Sequence, residues 1–264
     1  MSFIFSGTAS SIALTLATKL IYGILLLLCV IMGCGGGGGD GGGESTPPTS
    51  AEGFWNGTAA TGQQLTGVVL DDGTYYVMYS PVGNPSLIAG YIEGIGTSNN
   101  GSFTSSNTRD FVFGYGVLSA TISATYTEKQ SLNGTITYTS DGTTTFSSTY
   151  DADYETQSKL SDAAGTFTGQ ATSSSSGSET ATYTITDDGN ISGVSASGCT
   201  LSGIISPRSG CNVFNFLVTF GSGCTAQGQT LTGIACYSSS TKRLYAAMPN
   251  DARTEGYFFV GVKP

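Results

Sequence analysis

The ionisable side chains of this sequence limit the chemistry that it can perform. The chain contains 18 Asp and Glu residues, 9 Lys and Arg residues and no histidine. Without histidine, a Ser-His-Asp triad, a Cys-His protease site and a histidine-ligated zinc site are excluded. Catalysis by carboxylates alone, as in some glycosidases, stays open as a third and weaker hypothesis. We therefore expect a protein that is not an enzyme and that holds no cofactor.

Three groups of carboxylates have a spacing that could hold a cation. Asp-Asp-Gly occurs twice, at 71–73 and 187–189, and Asp151, Asp153 and Glu155 alternate along one short stretch. The Asp-Gly pairs suit the positive φ positions of a tight hairpin turn. The stretch around Asp153 lacks the glycine and the additional ligands of a calcium-binding loop. We predict two turns and a solvated strand end, with no metal site.

Four cysteines lie in the second half of the chain: Cys199, Cys211, Cys224 and Cys236. In an exported protein two disulfides are the default expectation, and three connectivities are possible. We favour Cys199–Cys211 and Cys224–Cys236, because each pair brackets a possible hairpin. The successive separations of 12, 13 and 12 residues lack the close cysteine pairs of a zinc site.

One predicted strand carries aromatic residues on both faces, and only one of these faces can lie in the core of its own half. The second face therefore requires another environment. Tyr75, Tyr76 and Tyr79 form such a strand, and the residues around Phe258 repeat the pattern. The second face can pack against the other half, line a ligand cavity or form a partner surface. We single out Trp55, Tyr75, Tyr76 and Tyr79 as a possible surface for a protein or glycan partner, with packing between the halves as the simpler alternative.

The elements that must position these residues are β-strands. After residue 50, segments of about 5–10 residues alternate between apolar and polar side chains, as in 120–127 and 132–139. A period of two places one face of a strand in a core and the other in water. No stretch of this part shows a convincing helical repeat. We therefore predict an all-β protein.

An internal repeat predicts two similar halves. The sequence GFWNGTA from Gly53 resembles GTFTGQA from Gly165, and each precedes one of the Asp-Asp-Gly turns. A Leu-x-Gly-x-x-x-Tyr motif follows later in each half, at Leu132 and at Leu231. Each half offers about eight strands, enough for a small antiparallel barrel or a sandwich. We place the first β domain at residues 53–155 and the second at residues 156–264.

The N-terminal residues predict export. The apolar run Leu20–Met32 is shorter than a membrane span and suits the core of a signal peptide. A longer, uncleaved membrane anchor that begins further upstream is the open alternative. The run ends in Ile31-Met32-Gly33-Cys34, which resembles the bacterial lipobox. This resemblance implies a lipoprotein signal peptide at residues 1–33 and fatty acyl chains, palmitate among them, on Cys34.

Residues 34–52 predict a flexible tether. Gly35–Gly43 is interrupted only by Asp40 and has almost no side chains to pack, and two prolines follow. Cysteine followed by polyglycine resembles surface lipoproteins of the transferrin-binding and factor-H-binding kind. Gly35, and not aspartate, follows Cys34, and this resembles the signal that sorts bacterial lipoproteins to the outer membrane. Together these resemblances imply a lipid-anchored protein on the periplasmic face of the outer membrane or on the cell surface.

The sequence favours a binding or scaffolding module of the cell envelope. Its acidic balance, a formal net charge of −9, excludes a nucleic-acid partner. The alternative is a carrier of a small apolar ligand, because Gly53-x-Trp55 near the start of a predicted barrel resembles the lipocalin signature. A carrier requires a hollow, apolar-lined interior, whereas a capture module requires an exposed aromatic patch or a groove between the halves.

Overall fold

The computed structural model of the chain describes residues 49–140 and 142–264. The predicted signal peptide, Cys34 and most of the predicted tether lie outside the described residues. In the described part, a 3-10 turn at Ala152–Glu155 and a short α-helix at Leu160–Ala163 accompany 17 β-strands. The prediction of an all-β protein is confirmed. No helix among these residues is long and apolar enough to cross a membrane.

The first half forms a closed antiparallel barrel. Neighbouring strands pair along the chain, β1 pairs back with β9, and β4 pairs with β6 to complete the ring. The short β5 pairs with the other end of β6, beyond a register shift between Ser105 and Thr108. The strands are β1 (Gly53–Ala59), β2 (Gln64–Val69), β3 (Thr74–Tyr79), β4 (Gly90–Ile95), β5 (Thr97–Asn99), β6 (Ser102–Val112), β7 (Gly116–Thr127), β8 (Ser131–Tyr138) and β9 (Gly142–Asp151).

The second half forms a second closed barrel of eight antiparallel strands. Each strand pairs with the next, and β10 pairs with β17 to close the ring. Closure leaves neither barrel with a long unpaired strand edge. The strands are β10 (Gly165–Ser173), β11 (Ser178–Ile185), β12 (Asn190–Ser195), β13 (Thr200–Pro207), β14 (Phe214–Phe220), β15 (Thr230–Ser238), β16 (Arg243–Pro249) and β17 (Gly256–Val262).

The two barrels are similar, as the repeat predicts. The Gly53 and Gly165 motifs begin the first strand of each barrel. Both Asp-Asp-Gly segments form the turn after the second strand, where Gly73 and Gly189 have φ of 82° and 85°. The later motif is different, because Leu132 lies in the seventh strand of its ring and the matching motif in the sixth strand of the other. The Leu-x-Gly-x-x-x-Tyr motif therefore does not mark equivalent strands, and this part of the predicted repeat is wrong.

The alternation of residue types fills both barrels. In β7 the apolar residues at every second position are buried and the serines and threonines between them are exposed. Burial of these apolar side chains is the main source of stability, at about 25 cal/mol for each Å² removed from water. The core of the first barrel includes Trp55, Leu65, Val69, Tyr75, Tyr79, Phe103, Ile122, Tyr126, Leu132 and Ile136. The core of the second includes Phe167, Tyr183, Ile185, Ile205, Phe216, Val218, Leu231, Leu244, Met248 and Phe259.

The outer faces of the two barrels pack against each other through two further apolar clusters. In the first, Tyr91 and Phe111 of the first barrel meet Ala247 and Phe258 of the second. In the second cluster, residues of β2, of the chain just after it and of the 3-10 turn meet residues of β15 and of the loop before β14. These residues face away from their own barrel, so their burial requires the other barrel. The second cluster consists of Val68, Leu70, Tyr154, Cys211, Val213 and Ile234.

Two charged contacts also join the barrels. Arg253 donates from Nε to Glu93 Oε2 at 2.7 Å and from Nη2 to the Glu93 carbonyl at 2.9 Å. Glu93 is buried, and burial raises its pKa even though Arg253 acts in the opposite direction. Arg208 donates to Asp71 at 2.6 Å and to Asp72 at 2.8 Å, so the first Asp-Asp-Gly turn holds an arginine of the second barrel.

The structure contradicts the favoured disulfide pairing. A disulfide joins Cys199 to Cys224, whereas Cys211 and Cys236 are free thiols. The eight residues of β13 separate Cys199 from Cys211 by roughly 26 Å of extended chain, which a disulfide cannot bridge. Antiparallel pairing of β13 with β14 instead brings the residues flanking these strands together at one end of the barrel.

We expect an oxidising compartment to join the two remaining thiols. Cys211 and Cys236 lie in the same cluster between the barrels, and burial raises the pKa of both, that of Cys236 to about 12. Thiol–disulfide exchange with a disulfide donor would remove two electrons and two protons from the pair. Closing a loop of about 25 residues should stabilise the fold by about 3 kcal/mol.

Peptide mapping without reductant of the chain recovered from an oxidising compartment tests this expectation. The expected result is a linked Cys211–Cys236 peptide, and Cys236→Ser should leave Cys211 open to alkylation after unfolding. Alkylation of both Cys211 and Cys236 in the unfolded natural chain would contradict it. The Cys199–Cys224 peptide serves as the internal control because that bond is already present.

Candidate functional site

A cleft of about 620 Å³ lies between the outer faces of the two barrels. One wall is formed by β1, β2 and β3, and the other by β10, β15, β16 and β17. A groove between the halves is the feature that a capture module requires. We therefore treat this inter-barrel cleft as the candidate functional site.

The walls of the inter-barrel cleft are mainly apolar, whereas its edges are polar. Tyr76 and Met78 of β3 face away from their own core and meet Tyr245 and Phe258 across the cleft. Apolar walls with a few polar groups are the usual composition of a binding cleft. The polar groups at the edges are those of Asn56, Gln64, Asp151, Asp153, Gln170, Ser238, Thr241 and Arg243.

Stacked aromatic rings support the walls. The Tyr91 ring lies 4.8 Å from that of Phe111 and 6.2 Å from that of Phe258, measured between centroids. The Phe113 ring lies 5.5 Å from Phe258. Because Tyr91 and Phe111 are fully buried, the wall that Phe258 presents to the cleft is backed by close-packed side chains. The cleft is therefore held open by rigid elements.

The loop between β3 and β4, residues 80–89, forms an apolar lip. Leu87 lines the cleft and is 56% exposed, and Val82 in the same loop is 65% exposed. Ile88 packs against the aromatic cluster behind the wall. Large apolar side chains exposed beside an apolar cleft are typical of an interaction surface.

The predicted partner surface is not formed as expected. Trp55, Tyr75 and Tyr79 are buried in the core of the first barrel, and the Trp55 indole donates to the Ala51 carbonyl at 2.9 Å. Tyr76 faces the second barrel and lines the wall of the cleft, and Tyr79, although buried in its own barrel, also borders the cleft. The prediction is wrong for the inward residues because a strand with aromatic residues on both faces does not reveal which face is the interior. The alternative, packing between the halves, describes Tyr76 correctly.

The predicted acidic stretch lies at one edge of the inter-barrel cleft, where the carboxylates of Asp151 and Glu155 have protein partners. Asp151 accepts hydrogen bonds from Asn56 Nδ2 at 2.8 Å and from the backbone of Asp153 at 3.0 Å. Glu155 forms an ion pair with Lys129 at 2.6 Å. No group of three or more cysteine, aspartate or glutamate side chains in the described part of the chain is placed to hold a metal ion.

The barrel interiors do not match the hollow apolar cavity that a carrier requires. The first barrel is filled by its aromatic core, and Tyr79 and Tyr138 donate to the buried carboxylate of Asp110 within it. The second barrel is filled by the layer around Phe167 and Phe259 and widens to a cavity at one end. Groups of mixed polarity line that cavity.

Sequence reasoning missed most of the residues that line the inter-barrel cleft. Leu87 lies in a loop with no periodic pattern, and Ile234 and Tyr245 lie on strands whose outward faces were expected to be wet. A signal was present in β16, where apolar residues occupy consecutive positions instead of alternate ones, as they do in the predicted strand around Phe258 that corresponds to β17. Such a run indicates a strand with both faces buried.

Comparisons with known proteins reveal distant structural likeness without sequence relationship. No protein-family model matches the sequence, and no curated protein matches it. Isotype 1 transferrin binding protein B of serogroup B Neisseria meningitidis is 8% identical, with a TM-score of 0.32 over 76% of this chain and 65% of that protein. A double mutant of transferrin binding protein B from Haemophilus parasuis Hp5 is 10% identical, with a TM-score of 0.28 over 76% of this chain and 51% of that protein. The chain thus spans less than two thirds of either protein.

Proposed function

We propose that this chain is a lipid-anchored envelope protein that binds a polypeptide partner, without catalysis, in the cleft between its barrels. The observation that carries the proposal is the apolar cleft with Val82 and Leu87 exposed at its lip. Cys34 would carry the lipid, and residues 35–52 would hold the barrels away from the membrane at the outer membrane or cell surface.

The composition of the inter-barrel cleft favours a polypeptide over a glycan. Aliphatic and aromatic side chains form its walls, and exposed aliphatic residues extend them onto the surface. Aliphatic side chains gain by burying other apolar groups, whereas they have no hydrogen bonds to offer sugar hydroxyls. The acidic balance of the chain further favours a partner with a neutral or basic segment.

Photo-crosslinking in intact cells tests this function. We expect a benzoylphenylalanine placed at Leu87 to form adducts with one polypeptide on illumination, because the lip borders the occupied cleft. The same residue at Val194 is the matched control, since Val194 is apolar, 49% exposed and outside the cleft. Adducts are identified by mass spectrometry after blotting for this chain.

A charged variant distinguishes binding in the inter-barrel cleft from nonspecific apolar contact. Met78→Arg places a charge at a half-buried position of the cleft wall and should remove the adduct at Leu87, whereas Ile204→Arg on an exposed face should not. Equal adducts at Leu87 and Val194, or an adduct at Leu87 that consists of glycan alone, would contradict the proposal.

A further inference from the structure

A second cavity, of about 500 Å³, opens at one end of the second barrel. Each of the eight strands of this barrel lines the cavity with a residue at or next to its end, among them Ser173, Leu201, Phe220, Met248 and Tyr257. We call this cavity the mouth of the second barrel. Thr172 and Phe258 line both the mouth and the inter-barrel cleft, but the mouth plays no part in the function proposed above.

The rim of the mouth is held in place by covalent and hydrogen bonds. The Cys199–Cys224 disulfide links two residues that both line it. Glu179 accepts hydrogen bonds from the Ser197 backbone at 2.9 Å and from its hydroxyl at 3.1 Å. At another point of the rim, Glu255 accepts hydrogen bonds from the backbone and the hydroxyl of Ser175, at 3.1 and 2.8 Å. A site fixed in this way loses little entropy when it binds a ligand.

The charge of the mouth is negative. Glu179 and Glu255 both line it, and none of the described residues that line it is a lysine or an arginine. Burial by itself would raise the pKa of Glu179, but hydrogen bonds from Ser197 and Ser195 lower it overall, so this carboxylate is ionised at neutral pH. Two carboxylates without a basic partner repel an anionic ligand and attract a cation.

Aromatic rings form the inner part of the mouth. The centroids of the Phe220 and Tyr257 rings lie 5.0 Å apart, and Tyr183 stacks on the core residue Phe259 at 3.8 Å. The faces of aromatic rings carry partial negative charge and attract cations, most strongly where water is partly excluded. They also offer apolar area to a ligand with a hydrocarbon or aromatic body.

We propose that the mouth of the second barrel is a binding site for a small organic cation with an apolar or aromatic body. The two carboxylates of the rim attract the positive charge, and the rings of Tyr183, Phe220 and Tyr257 enclose the body of the ligand. This ligand class differs from the neutral apolar cargo of a lipocalin-like carrier, and a fatty acid would be excluded by its own charge.

Isothermal titration calorimetry with three probes that share a phenyl ring but differ in head-group charge tests the proposal. The full chain, kept in a non-ionic detergent, is titrated with benzyltrimethylammonium, benzyl alcohol and benzoate, which share a benzyl or phenyl group but carry positive, neutral and negative head groups. We expect benzyltrimethylammonium to bind at one site per chain, benzyl alcohol to bind at least about tenfold more weakly, and benzoate not to bind.

Paired variants locate the binding. Glu179→Gln combined with Glu255→Gln should weaken benzyltrimethylammonium at least about fivefold. The control is Asp162→Asn combined with Asp187→Asn, which removes the same charge from exposed positions outside the mouth and should leave the affinity unchanged. Tyr257→Leu should cause a further loss of about 3- to 30-fold.

Three outcomes would overturn the proposal. They are the absence of benzyltrimethylammonium binding at millimolar concentration, benzoate binding as tight as that of the cation, and equal affinities in the glutamate and control variants. Circular dichroism of each variant tests whether the strands are retained. We expect that they are, because the substituted glutamates lie on the partly exposed rim and not in the core.

Discussion

Replacing Phe111 by alanine should lower the free energy of unfolding by about 3–5 kcal/mol. Phe111 lies on β6 and faces away from the core of its own barrel, yet it is fully buried. Its ring stacks on Tyr91 at 4.8 Å and lies directly against Gly256 at the start of β17. Truncation would therefore open a cavity between the barrels that neither barrel can fill alone.

Urea unfolding followed by tryptophan fluorescence measures this effect. Trp55 is the only tryptophan and lies in the core of the first barrel, so its emission reports the unfolding of that barrel. Tyr115→Ala is the matched control, because Tyr115 is an aromatic residue four positions later that is 73% exposed. The control should change the stability by less than about 0.5 kcal/mol. Equal stabilities of the two variants would show that Phe111 does not hold the barrels together.

The contact between Phe111 and Gly256 allows a second, independent test of the interface between the barrels. A Cβ added at Gly256 would lie 2.5 Å from the Phe111 ring, so Gly256→Ala alone should also destabilise the protein. In the double variant with Phe111→Ala the ring is absent and the added methyl group is accommodated. The two losses should therefore sum to more than the loss in the double variant by at least about 1 kcal/mol.

The strand content of this fold is readable from the sequence because it depends on local alternation. In β7 the pattern around Ile122 and Tyr126 predicts both the strand and its buried face, and the structure agrees. The two halves are likewise visible in the first-strand motifs at Gly53 and Gly165. These features require only neighbouring residues, whose period of two is set by the backbone itself.

Features that depend on contacts between distant strands were not predictable in the same way. The Cys199–Cys224 bond follows from the register of β13 with β14, which spacing along the chain does not reveal. The mouth gathers residues from the ends of eight strands, and no motif links Glu179 to Glu255. The inter-barrel cleft requires knowledge of which outward faces meet. For Tyr76 the sequence offered packing between the halves as one of several environments, without showing which residues it would meet.

A buried carboxylate inside the first barrel predicts an unusual dependence of stability on pH. Asp110 accepts hydrogen bonds from the hydroxyls of Tyr79 at 2.6 Å and Tyr138 at 2.8 Å. Burial nevertheless raises its pKa above the ordinary value of 3.8. Between pH 3.8 and that higher value the folded protein binds more protons than the unfolded chain. The contribution of Asp110 therefore falls as the pH rises through this window, by about 1.4 kcal/mol for each unit of the shift.

Two substitutions at Asp110 separate its charge from its hydrogen bonds. Asp110→Asn keeps an acceptor for a tyrosine but carries no charge, so its stability relative to the natural protein should increase as the pH rises above 3.8. Asp110→Ala leaves both tyrosine hydroxyls without this acceptor and should cost about 1–3 kcal/mol for each of them.

Urea unfolding at a series of pH values, followed by Trp55 fluorescence, measures both effects, with Asp187→Asn in an exposed turn as the control. Burial of Glu93 adds a slope of the same sign to every variant, so only the difference between variants reports on Asp110. A constant difference between Asp110→Asn and the natural protein across the series would mean that the Asp110 carboxyl titrates alike in the folded and unfolded states.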